Sequence, residues 1–134
     1  MRIVLLALLV SLAVVVPQAG AATDSRVLVA FRQSGGLAGI DRGLVVYRSG
    51  KVASNGLTLA ASQLGPARLR ALRTALVQAR FATLDDRYEP DEPIADGFVY
   101  TIAYTGRTVT IDEGAKPPPR LARVFALLQR LVAR

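Results

Sequence analysis

The segment 98-FVYTIAYTGRTVTI-111 decides the fold, because its apolar side chains recur with a strict period of two. Such alternation is typical of a half-buried β-strand, whose successive side chains point to opposite faces of the sheet. Thr105 and Gly106 form a tight turn, after which Val109 and Ile111 share one face. The segment therefore predicts a β-hairpin with one face that packs against another layer. That face carries Phe98, Tyr100, Ile102 and Tyr104.

Two further runs towards the N-terminus also predict strands. The run 26-RVLVAF-31 is apolar and rich in β-branched residues, which favours a first strand. The run 44-LVVYR-48 is followed by 49-SG-50 and then by KVAS. A two-residue connection between two such runs predicts a second hairpin over residues 44–54.

Two segments have the apolar period of an amphipathic helix instead. From Pro66 to Ala79 apolar residues recur at steps of three and four, and proline suits the first helical position. A second stripe follows 112-DEGAKPPPR-120, whose last proline lies near the predicted helix start. The stripes comprise Leu69, Leu72, Leu76 and Ala79 in the first helix, and Leu121, Val124, Phe125, Leu128, Leu131 and Val132 in the second.

These elements predict an α+β fold. We expect an antiparallel sheet of about four to five strands, built from two hairpins, with two amphipathic helices on one face and the other face open. Residues 85–96 contain two prolines and six acids and predict a loop, anchored by Tyr88 and Ile94. A calcium site in this loop is an alternative, although the spacing is not that of an EF-hand.

The N-terminus predicts a leader. Arg2 precedes an apolar run that ends at Pro17, and 19-AGA-21 is a small-x-small site. This pattern predicts a signal peptide at residues 1–21 and a single α+β domain at 22–134, exported to become secreted or periplasmic. The apolar run is shorter than the roughly 20 residues that span a bilayer, so we expect no stable membrane insertion after cleavage. An uncleaved N-terminal anchor is the alternative.

Charge is distributed unevenly along the chain. The formal charge is +7, and six of the ten acids lie in residues 85–96, whereas eight arginines fall in the two helical stretches. A basic helical face could bind an anionic surface or could simply be solvated. We expect no nucleic-acid partner for an exported protein, and we expect a monomer. The eight are Arg68, Arg70, Arg73, Arg80, Arg120, Arg123, Arg130 and Arg134.

The absence of cysteine and histidine excludes most enzyme chemistry. Zinc sites need Cys or His ligands, and nucleophilic triads usually need His as the base. What remains are neighbouring carboxylates at positions 85–86, 91–92 and 112–113, and the residues 49-SGK-51 in a predicted turn. Neighbouring residues in a strand point to opposite faces, and an exposed lysine is a poor base. The sequence therefore predicts a protein that is not an enzyme and holds no metal or cofactor.

The segment 33-QSGGLAGI-40, between two predicted strands, holds three glycines in five residues. It lacks the Lys-Ser/Thr ending of a P-loop and leads into a strand, so phosphate binding is poorly supported. Its glycines permit positive φ angles and a close backbone approach. The segment is therefore either a structural corner or a contact surface. Leu37 and Ile40 each either face a partner or turn into the core.

Several motifs, in order, resemble the emfourin-like inhibitors of protealysin: 34-SGGLAGI-40, 98-FVYTI-102, 112-DEGA-115 before prolines, and a closing Leu-rich helix. The resemblance covers nearly all of the chain after the leader. It implies a metal-free inhibitor that occupies the active-site cleft of a thermolysin-like zinc metallopeptidase. The chain differs in its leader, in a longer second hairpin, and in Leu37, where the family usually has Phe. The protease-binding residues it implies are Gly35, Gly36, Leu37, Ala38, Gly39 and Ile40.

An exported envelope binding module of the same fold, with a partner that is not a protease, is the alternative function. Its partner would be an anionic surface that contacts the arginine-rich helices.

Overall fold

The computed structural model describes residues 26–133, so the predicted signal peptide and its cleavage site lie outside the described residues. Six strands and two helices follow each other along the chain. In order they are β1 (Val27–Gly35), β2 (Ile40–Tyr47), β3 (Val52–Asn55), α1 (Pro66–Ala79), β4 (Arg87–Tyr88), β5 (Phe98–Tyr104), β6 (Arg107–Asp112) and α2 (Pro119–Gln129).

The strands form one sheet in the order β3-β2-β1-β5-β6-β4. All neighbours are antiparallel except β4 and β6, which pair in parallel. The predicted α+β class is confirmed. The predicted count of four to five strands and the purely antiparallel pairing are wrong, because the sheet has six strands and is mixed.

Strand β4 lies inside the segment that was predicted to be a loop. It is two residues long, with Arg87 opposite Thr110 and Tyr88 opposite Ile111. So short a strand has no measurable periodicity, and it exists because β6 supplies its hydrogen-bonding partners. Thr110 N, for example, donates to Asp86 O at 2.8 Å.

The hairpins also differ from the expected two. The β5–β6 turn at Thr105 and Gly106 is confirmed, with φ of 49° and 76°, as a two-residue turn of this kind requires. The β2–β3 hairpin exists, but residues 48–51 connect it rather than two residues. A third hairpin joins β1 to β2 directly, with Gly35 opposite Ile40.

The core lies on one face of the sheet. Alternate residues of the central strands are buried there, including Val29, Phe31, Ile102 and Val109, and both helices contribute side chains to the same cluster. The opposite face carries small, partly exposed residues such as Ala103. Both helices therefore contribute to the same core cluster as the buried side chains of the sheet. The helical residues of the core are Leu72, Ala75, Leu76, Ala79, Leu121, Val124 and Leu128.

Helix α1 has the bounds that its apolar period predicts, with Pro66 in its first turn. Its C-terminal carbonyl at Ala79 accepts a hydrogen bond from Arg120 Nε at 2.9 Å, which ties the start of α2 to the end of α1. Helix α2 ends at Gln129, so the predicted stripe runs past the helix. Leu131 is buried beyond the helix, and Val132 forms an isolated bridge with Leu59. Within residues 26–133, neither helix has the length and apolar character needed to cross a bilayer.

Candidate functional site

The β1–β2 hairpin ends in a four-residue turn at residues 36–39, which we call the glycine turn. Gly39 N donates to Gly36 O at 3.0 Å, which closes a β-turn around the two intervening residues. Gly35, Gly36 and Gly39 all have positive φ, of 96°, 74° and 59°. The turn is therefore a defined structure that continues the β-ladder, and the predicted glycine loop begins and ends inside strands.

Two of these glycines are required by close packing against residues 97 and 98. A Cβ at Gly35 would lie 2.6 Å from Gly97 O, and one at Gly36 would lie 2.7 Å from Phe98 Cε1. Gly36 N donates to the same Gly97 oxygen at 3.4 Å. The base of the glycine turn is thus in contact with the backbone before β5. No side chain larger than hydrogen fits at Gly35 or Gly36 without displacing that backbone or ring.

The tip of the glycine turn is open to solvent. Leu37 is 90% exposed, and Ala38 and Gly39 are exposed beside it. Ile40 is partly buried and opens β2 opposite Gly35. Because its side chain is almost fully exposed, Leu37 is not a core anchor. Of the two orientations that the sequence allowed for this side chain, into the core or away from it, the structure shows the second.

The sheet register places three separate segments side by side at this end, which we call the loop end of the sheet. Gly35 lies opposite Phe98 in the β1–β5 pair, and Val99 lies opposite Asp112 in the β5–β6 pair. Phe98 N donates to Glu113 Oε2 at 2.8 Å, and Phe98 O accepts from Glu113 N at 2.8 Å. Residues 34–40, 98–102 and 112–115 are therefore neighbours in space, although up to about 80 positions separate them in the chain.

Residues 32–35 of β1 and 40–42 of β2 form the stem of the glycine turn. This stem carries one polar pair on each face of the sheet. Arg32 donates to Asp41 through Nε at 2.6 Å and Nη2 at 2.5 Å, and Arg42 Nε donates to Gln33 Oε1 at 3.1 Å. The hydrogen bonds from Arg32 lower the pKa of Asp41, and those bonds likewise raise the pKa of Arg32. Both members of the ion pair are largely exposed, so it orients the stem more than it stabilises the fold.

The connection from β4 to β5 forms the rim of the loop end. It presents Ile94, which is 50% exposed, together with exposed acidic residues. Gly97 N donates to Ile94 O at 3.1 Å, so this connection folds back towards the glycine turn. The loop end therefore combines an apolar tip and an apolar rim residue with acidic neighbours. Those neighbours are Glu89, Asp91, Glu92 and Asp96.

The carboxylates at positions 112 and 113 have structural partners. Asp112 accepts a bidentate pair from Arg87, with Nη2 at 2.9 Å from Oδ1 and 2.8 Å from Oδ2. Glu113 accepts from the Phe98 amide. Between residues 26 and 133 the structure contains no group of three or more acidic side chains placed to hold a metal ion. The exposed groups of the loop end can pack against another surface and form hydrogen bonds.

Sequence reasoning identified the glycine turn but missed the residues that hold it. The rim residue Ile94 lies in the segment 85–96 that was predicted as a loop, where it was expected only to anchor that loop, and Gly97 directly follows the segment. The one available signal was Gly97 itself, immediately before a strand, where a glycine often marks a close backbone approach.

Comparisons with known proteins give no similar chain: no protein-family model, no curated protein and no solved structure matches this sequence or its fold.

Proposed function

We propose that this protein is an exported inhibitor of a thermolysin-like zinc metallopeptidase, and that it inserts the glycine turn into the active-site cleft. One observation carries the proposal. Leu37 is 90% exposed at the tip of a turn whose base is packed against residues 97 and 98. Three of the four motifs on which the family resemblance depends also lie together at this loop end.

The shape of the glycine turn suits a protease cleft. Four residues separate the paired ends of β1 and β2, so the projection is narrow and presents one large apolar side chain. Enzymes of the thermolysin type favour a bulky apolar residue just after the scissile bond, and Leu37 has that character. A single apolar anchor in a pocket commonly dominates the energy of such an interface.

Rigidity supports the same function. The β1–β2 ladder continues to Gly35 and Ile40. Within the turn the Gly36 carbonyl accepts a hydrogen bond from the Gly39 amide, and the Gly36 amide donates to the Gly97 carbonyl. A turn that is already ordered loses little conformational entropy when it binds. An inhibitor also needs no catalytic group of its own, so a chain without His or Cys can perform this function.

The test is inhibition of thermolysin by the wild-type protein and two matched variants. Leu37→Asp places a charge at the tip of the glycine turn, whereas Val77→Asp places the same charge at a 67% exposed apolar residue of α1. We expect near-stoichiometric inhibition by the wild type, at least a tenfold higher inhibition constant for Leu37→Asp, equivalent to about 1.4 kcal/mol, and no change for Val77→Asp.

Thermal unfolding of both variants supplies the control, because both positions are exposed and substitution there is expected to leave stability nearly unchanged. Full inhibition by folded Leu37→Asp removes the glycine turn from the contact surface. No inhibition of any thermolysin-like enzyme by the wild type contradicts the proposed function as a whole.

The second candidate function is an exported envelope module that binds an anionic surface through its helices. It is favoured by five exposed arginines of the two helices and their ends whose side chains have no hydrogen bond or ion pair within residues 26–133. Binding that weakens steeply with added salt, together with no effect on metallopeptidases, supports this function over the first. The five are Arg68, Arg70, Arg80, Arg123 and Arg130.

A further inference from the structure

A groove between the two helices has the features of a small-ligand site. It has a volume of about 400 Å³ and lies between the first turns of α1 and the end of α2. Its apolar lining includes Leu72 and Leu131, which are buried, and Leu127, which is partly exposed. The volume falls within the range of about 300–1,000 Å³ that is usual for pockets that bind small molecules. No residue of the glycine turn contributes to this groove.

Two arginines line this apolar groove, one from each helical end. Arg68 belongs to the first turns of α1, and Arg130 is the residue that follows α2. Both are exposed, and within the described part of the chain neither guanidinium has a hydrogen bond or an ion pair. By contrast, Arg32, Arg87 and Arg107 are all paired with carboxylates. Two cations without a protein partner beside an apolar surface fit a ligand that has an anionic head and an apolar body.

The start of α1 adds to the positive potential at this groove. Its N-cap is Gly65, which has no side chain to cap the helix, and its first turn contains no acidic residue. The dipole of α1 therefore contributes positive potential near Arg68, whereas the C-terminal end of α2 contributes negative potential near Arg130, so the net positive charge of the groove comes from the two guanidinium groups. The six acids of residues 85–96 are not among the residues that line the groove.

The length of the groove excludes a helical peptide as its occupant. On α1 it runs from Ala67 to Leu72, which corresponds to about 8 Å at a rise of 1.5 Å per residue. A helix bound in a groove uses anchors at i, i+3, i+4 and i+7, which need about 10 Å. An aliphatic chain is much narrower than a helix and can bend, so it can cross the groove from α1 to α2 over Leu72 and Leu127 rather than lie along α1, with its head between the two guanidinium groups.

We propose that this groove binds a single-chain aliphatic carboxylate, with Arg68 and Arg130 holding the carboxylate and the leucines contacting the chain. The planar guanidinium matches a carboxylate in geometry and is weakly hydrated, so it can approach the apolar lining at low cost. This site is independent of the proposed inhibition and does not require it.

The experiment is calorimetric titration of the full chain with decanoate below its micellar concentration, with acetate and decanol as partial ligands. We expect saturable binding of decanoate, no binding of acetate and weaker binding of decanol. Arg68→Ser combined with Arg130→Ser is expected to raise the Kd for decanoate about tenfold or more. Arg70→Ser combined with Arg123→Ser removes the same charge from the same two helices outside the groove, and it is expected to leave the Kd within twofold.

Ala71→Trp tests the groove independently of charge. Ala71 is exposed and lines the groove, so an indole there is expected to fill the groove and abolish decanoate binding while the chain stays folded by circular dichroism. Equal losses in the two double variants overturn the proposal, because they assign binding to the general charge of the helices. Binding to phosphatidylglycerol vesicles without binding of decanoate also overturns it.

Discussion

Replacing Gly35 by alanine tests whether the glycine turn is held by backbone packing. Gly35 has φ of 96°, a conformation that L residues rarely adopt, and its added Cβ would lie 2.6 Å from Gly97 O. That oxygen also accepts the Gly36 amide, so it cannot move away without weakening a hydrogen bond. The substitution therefore combines backbone strain with a clash that no side-chain rotation relieves.

The expected cost follows from these two contributions. A non-glycine residue in a sparsely populated backbone region costs about 1–3 kcal/mol. Loss of the hydrogen bond to Gly97 adds about 0.5–1.5 kcal/mol. We expect Gly35→Ala to lower the free energy of unfolding by about 2–4 kcal/mol. The matched substitution Gly39→Ala meets no atom within 4 Å, so it carries the left-handed strain alone, about 1 kcal/mol.

Urea unfolding followed by circular dichroism measures both variants at one pH. Thermal unfolding gives a second measure: at about 4 °C per kcal/mol for a domain of this size, Gly35→Ala should lower Tm by roughly 8–16 °C and Gly39→Ala by about 4 °C. Equal destabilisation by the two substitutions would refute the reasoning, because the contact with Gly97 is what distinguishes them. If the proposed inhibition is correct, Gly35→Ala should also weaken it at temperatures where the variant is folded, because the tip loses its fixed orientation.

Three further predictions concern the sheet. Ile102→Ala removes a fully buried side chain and should destabilise the protein by about 2–5 kcal/mol in chemical unfolding; a loss below 1 kcal/mol would contradict the central position of β5. Thr105→Asn should stabilise the protein by about 0.5 kcal/mol or more, because Thr105 has φ of 49° in a turn that favours Asn-Gly, and a lower Tm would disprove it. The lowered pKa of Asp41 means that its pairing with Arg32 stabilises the fold above the unfolded pKa of about 3.9 and is lost as pH falls through the folded value. Because the pair is exposed, Asp41→Asn should reduce the loss of stability only slightly as the pH falls below about 4, and acid unfolding curves that coincide with those of the wild type in that range would contradict this.

Elements with a regular local pattern were predicted well. The apolar period and Pro66 define α1 with its observed bounds, and Thr105 with Gly106 forms the predicted turn between β5 and β6. These features depend on residues within a few positions of one another, so the sequence contains the whole of the relevant interaction. The end of α2 was placed less well, because Leu131 and Val132 continue the apolar pattern after the helix has ended.

Elements that depend on a distant partner were missed or only partly predicted. Strand β4 needs β6, and the glycine turn needs residues 97 and 98, which lie more than 55 positions away. No periodicity marks such pairings, because a two-residue strand or a turn has no repeat. The composition of residues 85–96 predicted a loop, and for most of that segment the prediction is confirmed.

The sequence by itself determined the α+β class, both helices, the β5–β6 hairpin and the glycine-rich connection between the first two strands. Each of these features is encoded in local periodicity or in the conformational freedom of glycine. Only the tertiary structure decided that Leu37 faces solvent, that Gly35 and Gly36 pack against residues 97 and 98, and that three distant segments meet at the loop end. It also placed Arg68 and Arg130 on one groove. The physical reason is that the exposure of a side chain and the neighbours of a charge are set by strand order, strand register and helix packing, which join residues that are far apart in the chain.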